Sequence, residues 1–298
     1  MIDGIILKNA IISGTERIRI NFEEVDGLNV FPVPDGDTGT NLMLTLTGCA
    51  DAIASISETH AGVMAERIAS ALFRSARGNS GVIFSLMFKG FAKSVGNLEK
   101  IDSRALAEGL ECACDEAYSS IEKPTEGTIL TVIRLAASKA KSAAESGKSI
   151  SETFAAALCG AKASLKSTPN LLPALKKHGV VDAGGQGLVY IMEGMLNATE
   201  NRQPKATDKT PIAKNDAAEI RYTYCTEFLI NNAEISDISA LRNFFSDIGD
   251  CTAVAAHSGI IKVHLHTNSP DKALKKGIET GELTDIKIDN MKYQASSL

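Results

Sequence analysis

Tryptophan is absent from the 298 residues and aromatic side chains make up only 5% of them. That leaves little with which to build a stacking platform for nucleic-acid bases. Excess positive charge is missing too: a formal net charge of −5 and a pI near 5.6 argue against a general nucleic-acid binder. No stretch approaches the ~18–20 uncharged apolar residues of a membrane span. The start, Met1-Ile2-Asp3-Gly4, lacks the basic residues of a secretory signal, so the cytoplasm is the expected location. The six cysteines (Cys49, Cys112, Cys114, Cys159, Cys225 and Cys251) show neither CxxC nor disulfide-framework spacing. Cys49, Cys112, Cys114 and Cys159 fall in alanine-rich helical stretches and read as packing residues. Neither GxxxxGK[ST] nor GxGxxG occurs, which excludes the ordinary P-loop and protein-kinase folds. What is present is an ordinary globular balance, 44% apolar and 22% charged, in a chain long enough for two domains.

The most informative stretch is LNVFPVPDGDTGTN, Leu28 to Asn41. Asp35 and Asp37 flank Gly36, which lets the backbone turn while both carboxylates face one centre, as a hard cation such as Mg²⁺ requires. Pro32 and Pro34 stiffen the approach and exclude regular helix before it. Thr38-Gly39-Thr40-Asn41 then opens an apolar helical run (Leu42, Leu46, Ala50, Ile53), which aims free amides and a positive dipole end at whatever the metal holds. Phosphate is the natural guest. The plainer alternative is a capped turn with two solvated acids.

Apolar periodicity predicts eight substantial helices in residues 1–200 and no strands. The first covers roughly 3–18, the second follows the Asp-Gly-Asp loop, and the third spans about Ala61 to Arg74. The fourth begins after Gly78-Asn79-Ser80-Gly81, the fifth near Asp102 or Ser103, and the sixth at Gly127-Thr128. The seventh follows Ser149 to Ser151, and the eighth follows Gly184-Gly185. A short extra turn is expected between Thr168, as N-cap with Pro169 at the first helical position, and Gly179. The expected architecture is an antiparallel bundle or closed barrel. Glycine-, serine- or threonine-bearing turns open the second, fourth, sixth and eighth helices: Asp35 to Asn41, Arg77 to Gly81, Pro124 to Thr128 and Val181 to Gly187. In an antiparallel array alternate helix starts share one end, so these turns would form a nest of N–H and hydroxyl donors around a polyphosphate. Any one of them alone is ordinary helix capping.

Residues 201–218, NRQPKATDKTPIAKNDAA, are polar and aperiodic and read as a linker between residues 1–200 and 219–298. Beyond it, Glu219 to Asn231 alternates as a strand and Ser236 to Ile248 is an amphipathic helix. Cys251 to His257 and Ile260 to Thr267 form a hairpin about Ser258-Gly259. A helix opens at Ser269-Pro270, and Leu283 to Asn290 is a final strand. The order βαββαβ suggests a ferredoxin-like domain with its first and third strands central. Cys225, His264 and His266 would then meet on the open side of the sheet. One thiolate and two imidazoles suit Zn²⁺, with water, substrate or Glu227 as the fourth ligand; solvated histidines and an inert thiol are the alternative.

LNVFPVPDGDTGTN, ARGNSGVIFS, KPTEGTILTVIR and VVDAGGQGLVY together resemble the nucleotide domain of the bacterial fatty acid kinase catalytic subunit, which is itself similar to the ADP-binding subunit of dihydroxyacetone kinases. The resemblance covers residues 1–200 and implies a multidomain α and α+β protein. Its eight-helix antiparallel barrel would bind ATP or ADP with two Mg²⁺ at one end. It implies transfer of the γ-phosphoryl group to a fatty acid held by a separate fatty-acid-binding carrier protein, with no nucleic-acid partner and a homodimer left open. Asp35 and Asp37 match the metal-binding acids, and Asn29, near the place of a third upstream acid, is the candidate third ligand. Thr38, Gly39, Thr40 and Asn41 match the first phosphate turn, and Asn79, Ser80 and Gly81 the second. Thr125, Gly127 and Thr128 match the third, while Asp182, Gly184 and Gly185 match the last. YxYCTEFLI and KVHLHTNSP resemble the middle domain of the same kinase, where Cys225, His264 and His266 match a zinc-binding trio. Arg77, Arg134 and Lys123 are candidates for a transition-state cation, or else solvated surface charges. Family members are usually far longer, with a further domain implicated in engaging the carrier, whereas this sequence ends at Ser296-Ser297-Leu298. Two other readings are a dihydroxyacetone-kinase-like enzyme acting on a small hydroxy compound and a non-catalytic, nucleotide-bound adaptor.

Overall fold

A computed structural model of the chain describes residues 1–121, 123–200, 221–233 and 238–295; the expected linker at 201–218 lies outside them. The first unit is helical: α1 (Gly4–Gly27), α2 (Thr38–Ile53), α3 (Ala61–Ser75), α4 (Gly78–Val95), α5 (Ser103–Ser120), α6 (Ile129–Glu145), α7 (Ile150–Leu171), the short α8 (Pro173–His178) and α9 (Ala183–Thr199). Each long helix packs on its neighbours in sequence, and α9 closes the ring against α1 and α7. The result is the expected up-and-down barrel. Local chemistry sets many of the starts: Asp3 accepts from the Ile6 amide, Asp102 from the Ala105 amide, and Ser149 with Glu152 forms a capping box. The apolar stripes meet inside the ring, where Ile11, Ile18, Leu42, Leu46, Ile68 and Leu72 are fully buried. No helix among the described residues is long and apolar enough to cross a membrane.

Several boundaries depart from expectation for identifiable reasons. α1 runs to Gly27 rather than stopping near residue 18, because Asn21 and Val25 continue the buried stripe of Leu7, Ile11 and Ile18. The turn expected to start at Thr168-Pro169 is instead the last turn of α7. The proline cannot donate to Leu165, but the Thr168 hydroxyl does so at 2.7 Å, and the helix continues. α8 starts four residues later, with Pro173 in its first turn, and ends at Gly179 in the left-handed region (φ 68°). Of the four cysteines assigned to packing, Cys49 and Cys114 are buried and Cys112 is partly so, but Cys159 is exposed on the outside of α7.

The second unit is β1 (Tyr224–Asn231), α10 (Ile238–Ile248), β2 (Gly249–His257), β3 (Ile260–Thr267), α11 (Pro270–Thr280), β4 (Glu282–Asn290) and α12 (Met291–Ala295). Its sheet order is β2-β3-β1-β4 with every pair antiparallel, so β1 and β3 are central, as βαββαβ topology predicts. β1 begins at Tyr224, later than the alternation from Glu219 implies. Phe228, Ile230, Val263 and Leu265 form a core with Leu241, Phe245 and Ala273 of α10 and α11. The opposite face was expected to be open. It is covered by the helical unit: Leu229, Ala255 and Ile260 pack against Phe73, Ala76, Val82 and Leu86. At the edge of this contact His257 Nε2 lies 3.2 Å from Glu66 Oε1 and 3.0 Å from Ser70 Oγ on α3.

Ring closure requires close backbone approach. At Gly194 on α9 a Cβ would collide with the Ser13 carbonyl oxygen of α1. Gly194→Ala is therefore expected to cost about 1–3 kcal/mol through overpacking, read as a lower denaturant midpoint. Cys159→Ser, at an exposed position, should leave the midpoint unchanged within about 0.5 kcal/mol.

Candidate active site

The loop between α1 and α2 holds its two acids against a polar ligand from its own chain. Gly36 takes φ 69°, the Phe31–Pro32 peptide is cis, and Asn29, 2% exposed, donates from Nδ2 to Asp35 Oδ1 at 2.5 Å. Burial and the neighbouring Asp37 charge push the Asp35 pKa well above the usual carboxyl range. Burial also raises Asp37, against the hydrogen bond from Asn41. Two largely buried carboxylates side by side form a hard oxygen pair suited to a divalent cation, while Asn29 turns its side-chain N–H toward Asp35.

Sequence reasoning missed Asp26. Its carboxylate accepts from the Gly39 amide at 2.6 Å, the Thr40 amide at 3.0 Å and the Thr40 hydroxyl at 2.7 Å. Burial raises its pKa to about 6 despite these bonds. The first turn of α2 is thus capped by the last turn of α1, and Gly39 and Thr40 spend their amides on Asp26. The spacing of thirteen residues from Asp26 to Gly39 matches no local capping motif, so only the fold reveals the contact.

A small recess is lined by Asn29, Asp35, Asp37, Thr38, Asn41, Gly78, Asn79 and Ser80, together with Cys225, His264 and His266. The acids and the thiol–imidazole trio, read separately in the sequence, therefore share one chamber between the two units. Through Thr38, Asn79 and Ser80 it adjoins a larger cleft lined by Lys123, Thr125, Thr128, Asp182 and Gly184 and walled by Asp250, Cys251 and Thr252 of β2. The starts of α2, α4, α6 and α9 consequently meet on one rim. Gly81, Gly127 and Gly185 lie behind that lining. A Cβ at Gly81 would strike Thr45 Oγ1, Gly127 (φ 85°) donates to Thr131 Oγ1 at 2.8 Å, and Gly185 donates to Asp182 Oδ2 at 2.7 Å. Asp182 also receives the Ile129 amide, so one fully buried carboxylate ties α9 to α6, and burial raises its pKa to about 7.

Of the cation candidates, Lys123 faces the larger cleft. Arg77 lies 3.8 Å from Glu227, and Arg134 is spent on Glu126 at 2.7 Å and on Tyr118 at the exposed surface. Lys287 was not singled out in the sequence. It stands opposite Glu227 across β1 and β4, pairs with Asp289 at 2.5 Å, and favours the ionised forms of Asp37 and Cys225. Its only sequence signal was the alternation Asp285, Lys287, Asp289 along an expected strand.

Cys225 stands directly opposite His266, and ligand atoms of Cys225, His264 and His266 lie within 4.8 Å of one another. His264 Nδ1 is 2.8 Å from Glu227 Oε1, while His264 Nε2 and His266 Nδ1 are buried without a hydrogen-bond partner. Orphaned imidazole nitrogens beside a thiol are the donor set that zinc satisfies, and a carboxylate behind one imidazole fixes its tautomer. Burial, reinforced by His264, lowers the His266 pKa to about 3, and burial raises that of the Cys225 thiol. Both ligands are thus neutral, and the thiol must release a proton on binding a metal. Glu227, considered as a fourth ligand, instead bridges His264 to Gly78. Burial raises its pKa, but the His264 hydrogen bond and charge prevail and hold it down to about 2. Asp250, Cys251 and His266 form a second, overlapping set of ligand atoms.

In comparison with known proteins, the DAK2 domain family model matches residues 32–197, and the model of the FakA-like middle domain of fatty acid kinases matches residues 221–298. An uncharacterized protein of Staphylococcus saprophyticus is 39% identical over 308 aligned positions, covering 98% of this chain and 56% of that protein. One from Staphylococcus aureus strain NCTC 8325 is 37% identical with the same coverage. The chain spans about half the length of these relatives. Among solved structures, the dihydroxyacetone kinase of C. freundii in complex with AMP-PNP and Mg²⁺ is similar with a TM-score of 0.49 and 18% identity, covering 64% of this chain and 33% of that one. The native form of the same kinase gives a TM-score of 0.48 and 20% identity, covering 66% and 35%.

Asp182 generates a pH prediction. Its folded pKa of about 7 lies above the ordinary 3.8. Its stabilising contribution is therefore fully present below about pH 4 and is lost as pH rises through about 7, at ~1.4 kcal/mol per pKa unit of difference. Asp182→Asn keeps a helix-capping oxygen but cannot ionise. Denaturant titrations of metal-free protein from pH 4 to 8 should show a flatter loss of stability in the variant than in wild type.

Proposed function

The chain belongs to the DAK2 domain family, and on that premise we propose that it transfers the γ-phosphoryl group of ATP to a fatty acid presented by a separate fatty-acid-binding carrier protein. The observation that carries this reading is the convergence of Asp35, Asp37 and the four helix starts on adjoining recesses. Asp35 and Asp37, with Asn29 beside them, would hold two Mg²⁺. Thr38, Asn41, Asn79, Ser80 and Thr128 would donate to the phosphates, while Asp182 and Gly184, which line the larger cleft, would lie near phosphate and ribose. Bound magnesium supplies charge neutralisation on the phosphate oxygens.

The reaction needs no general base from the protein. A carboxyl group with an ordinary pKa of about 4 is already ionised at neutral pH. Its oxygen attacks the γ-phosphorus, the bond to the β–γ bridging oxygen breaks, and ADP leaves with that electron pair, giving an acyl phosphate. The residues lining the cleft need only align the two anions and hold charge in place. Lys123, which lines the cleft, would supply a cation there. Cys225, His264 and His266 fit Zn²⁺, which would stiffen the wall formed by β1 and β3.

Labelled γ-phosphate transfer from Mg-ATP to oleate, with and without a fatty-acid-binding carrier, tests the reading. Carrier-dependent acyl phosphate is expected from wild type, with a loss of roughly 100-fold or more in Asp35→Ala. Nucleotide binding without transfer to any acceptor would favour the adaptor. Transfer to dihydroxyacetone instead of oleate would move the acceptor to a small hydroxy compound.

A further inference from the structure

Glu227 is 1% exposed on the covered face of β1. Its Oε1 accepts from two sides: from the Gly78 amide at 2.5 Å, the first residue of α4, and from His264 Nδ1 at 2.8 Å on β3. Its Oε2 is buried with no hydrogen-bond partner, and the Arg77 guanidinium is 3.8 Å away. A buried carboxylate is tolerated only where donors and positive charge compensate it. Here the compensation is divided between a helix start on one unit and an imidazole on the other.

Both ends of this bridge lead to a candidate ion site. On the sheet, His264 lines the recess with Cys225 and His266: its Nε2 is buried with no hydrogen-bond partner, and its Nδ1, held by Glu227, lies 3.9 Å from Cys225 Sγ. On the helical unit, Gly78 has φ 57°, and a Cβ there would strike the side-chain amide of Asn41, which hydrogen-bonds Asp37. The amide direction at Gly78 is thus fixed by Glu227 on one side and Asn41 on the other, immediately before Asn79 and Ser80. With Nε2 given to a metal, the His264 proton would sit on Nδ1, toward Glu227. Glu227 then stays on Gly78, and the turn keeps Asn79 and Ser80 facing the cleft.

We infer that Glu227 is a positioning residue that couples the Cys225–His264–His266 metal site to the phosphate turn at the start of α4, so that zinc and nucleotide bind cooperatively. This rests on the nucleotide reading given above. Direct attraction between zinc and phosphate would also give positive coupling, and variants at Glu227 separate the two routes because they leave the three ligands in place. Glu227→Ala removes the bridge. Glu227→Gln retains an oxygen able to accept from Gly78 but loses the charge that holds His264.

The test is calorimetric titration of the 298-residue chain with Mg-ADP, in zinc-loaded and chelator-treated forms, with zinc content measured alongside. In wild type, zinc should tighten Mg-ADP binding by about 10-fold, within the usual range of coupling between sites. In Glu227→Ala the ratio should fall toward one with zinc still bound, and Glu227→Gln should give an intermediate ratio. If the alanine variant does not fold, the wild-type ratio and the glutamine variant carry the comparison. Equal affinity with and without zinc in wild type, failure of the chain to take up zinc, or a ratio undiminished in either variant would overturn the coupling. Zinc uptake with no Mg-ADP binding in either form would overturn the nucleotide reading itself, and the coupling with it.

Discussion

Helix starts carry partial positive charge, and a closed ring of alternating helices gathers them at one end, where they repel. The acceptors that meet these starts are half-buried and buried carboxyl groups. Asp26 meets the first turn of α2, Glu227 meets α4, and Asp182 meets α9 and the Ile129 amide of α6. Two of these acids come from neighbouring parts of the ring itself, but Glu227 comes from the sheet. The helical unit therefore does not complete its own rim. The amides left facing the cleft lie between acids that fix their direction, an arrangement preorganised for an incoming anion.

The same economy explains the sheet. Its βαββαβ topology makes β1 and β3 central neighbours, and the period of two places Cys225, Glu227, His264 and His266 on one face. That face is pressed against α4 rather than left to solvent. Soft and hard donor sets thus lie in one recess. A thiol with two imidazoles selects for borderline metals and paired carboxylates for hard ones, so two kinds of ion can sit near each other without competing for ligands.

Much of the barrel was legible because its signals are local. The caps at Asp102 and Ser149, the stop at Gly179 and the turn residues at Asp35 to Asn41 each act within one turn of chain. The parity of the helix starts followed from antiparallel order alone. Misreadings arose where a side chain rewrote a local rule, as the Thr168 hydroxyl did in carrying α7 through Pro169. Asp26 and Lys287 were missed because their partners are distant in sequence, thirteen residues away for Gly39 and sixty positions away across the sheet for Glu227. Covering of the sheet face was illegible for a related reason. Cys225, Glu227 and Leu229 follow the period of two that a half-solvated strand would show, and Leu229 is buried by docking against Phe73 and Val82.

That docking seam limits how the protein could have been assembled or can be taken apart. Phe73, Val82 and Leu86 on one side and Leu229 and Ile260 on the other form an apolar seam between the two units. Separating the units at the intervening segment would leave complementary greasy patches on both fragments and strip the α4 rim of Glu227. Such halves would tend to self-associate. Gene fusion or domain exchange in this family should therefore preserve the pair as one inherited block, with variation admitted at its outer surfaces.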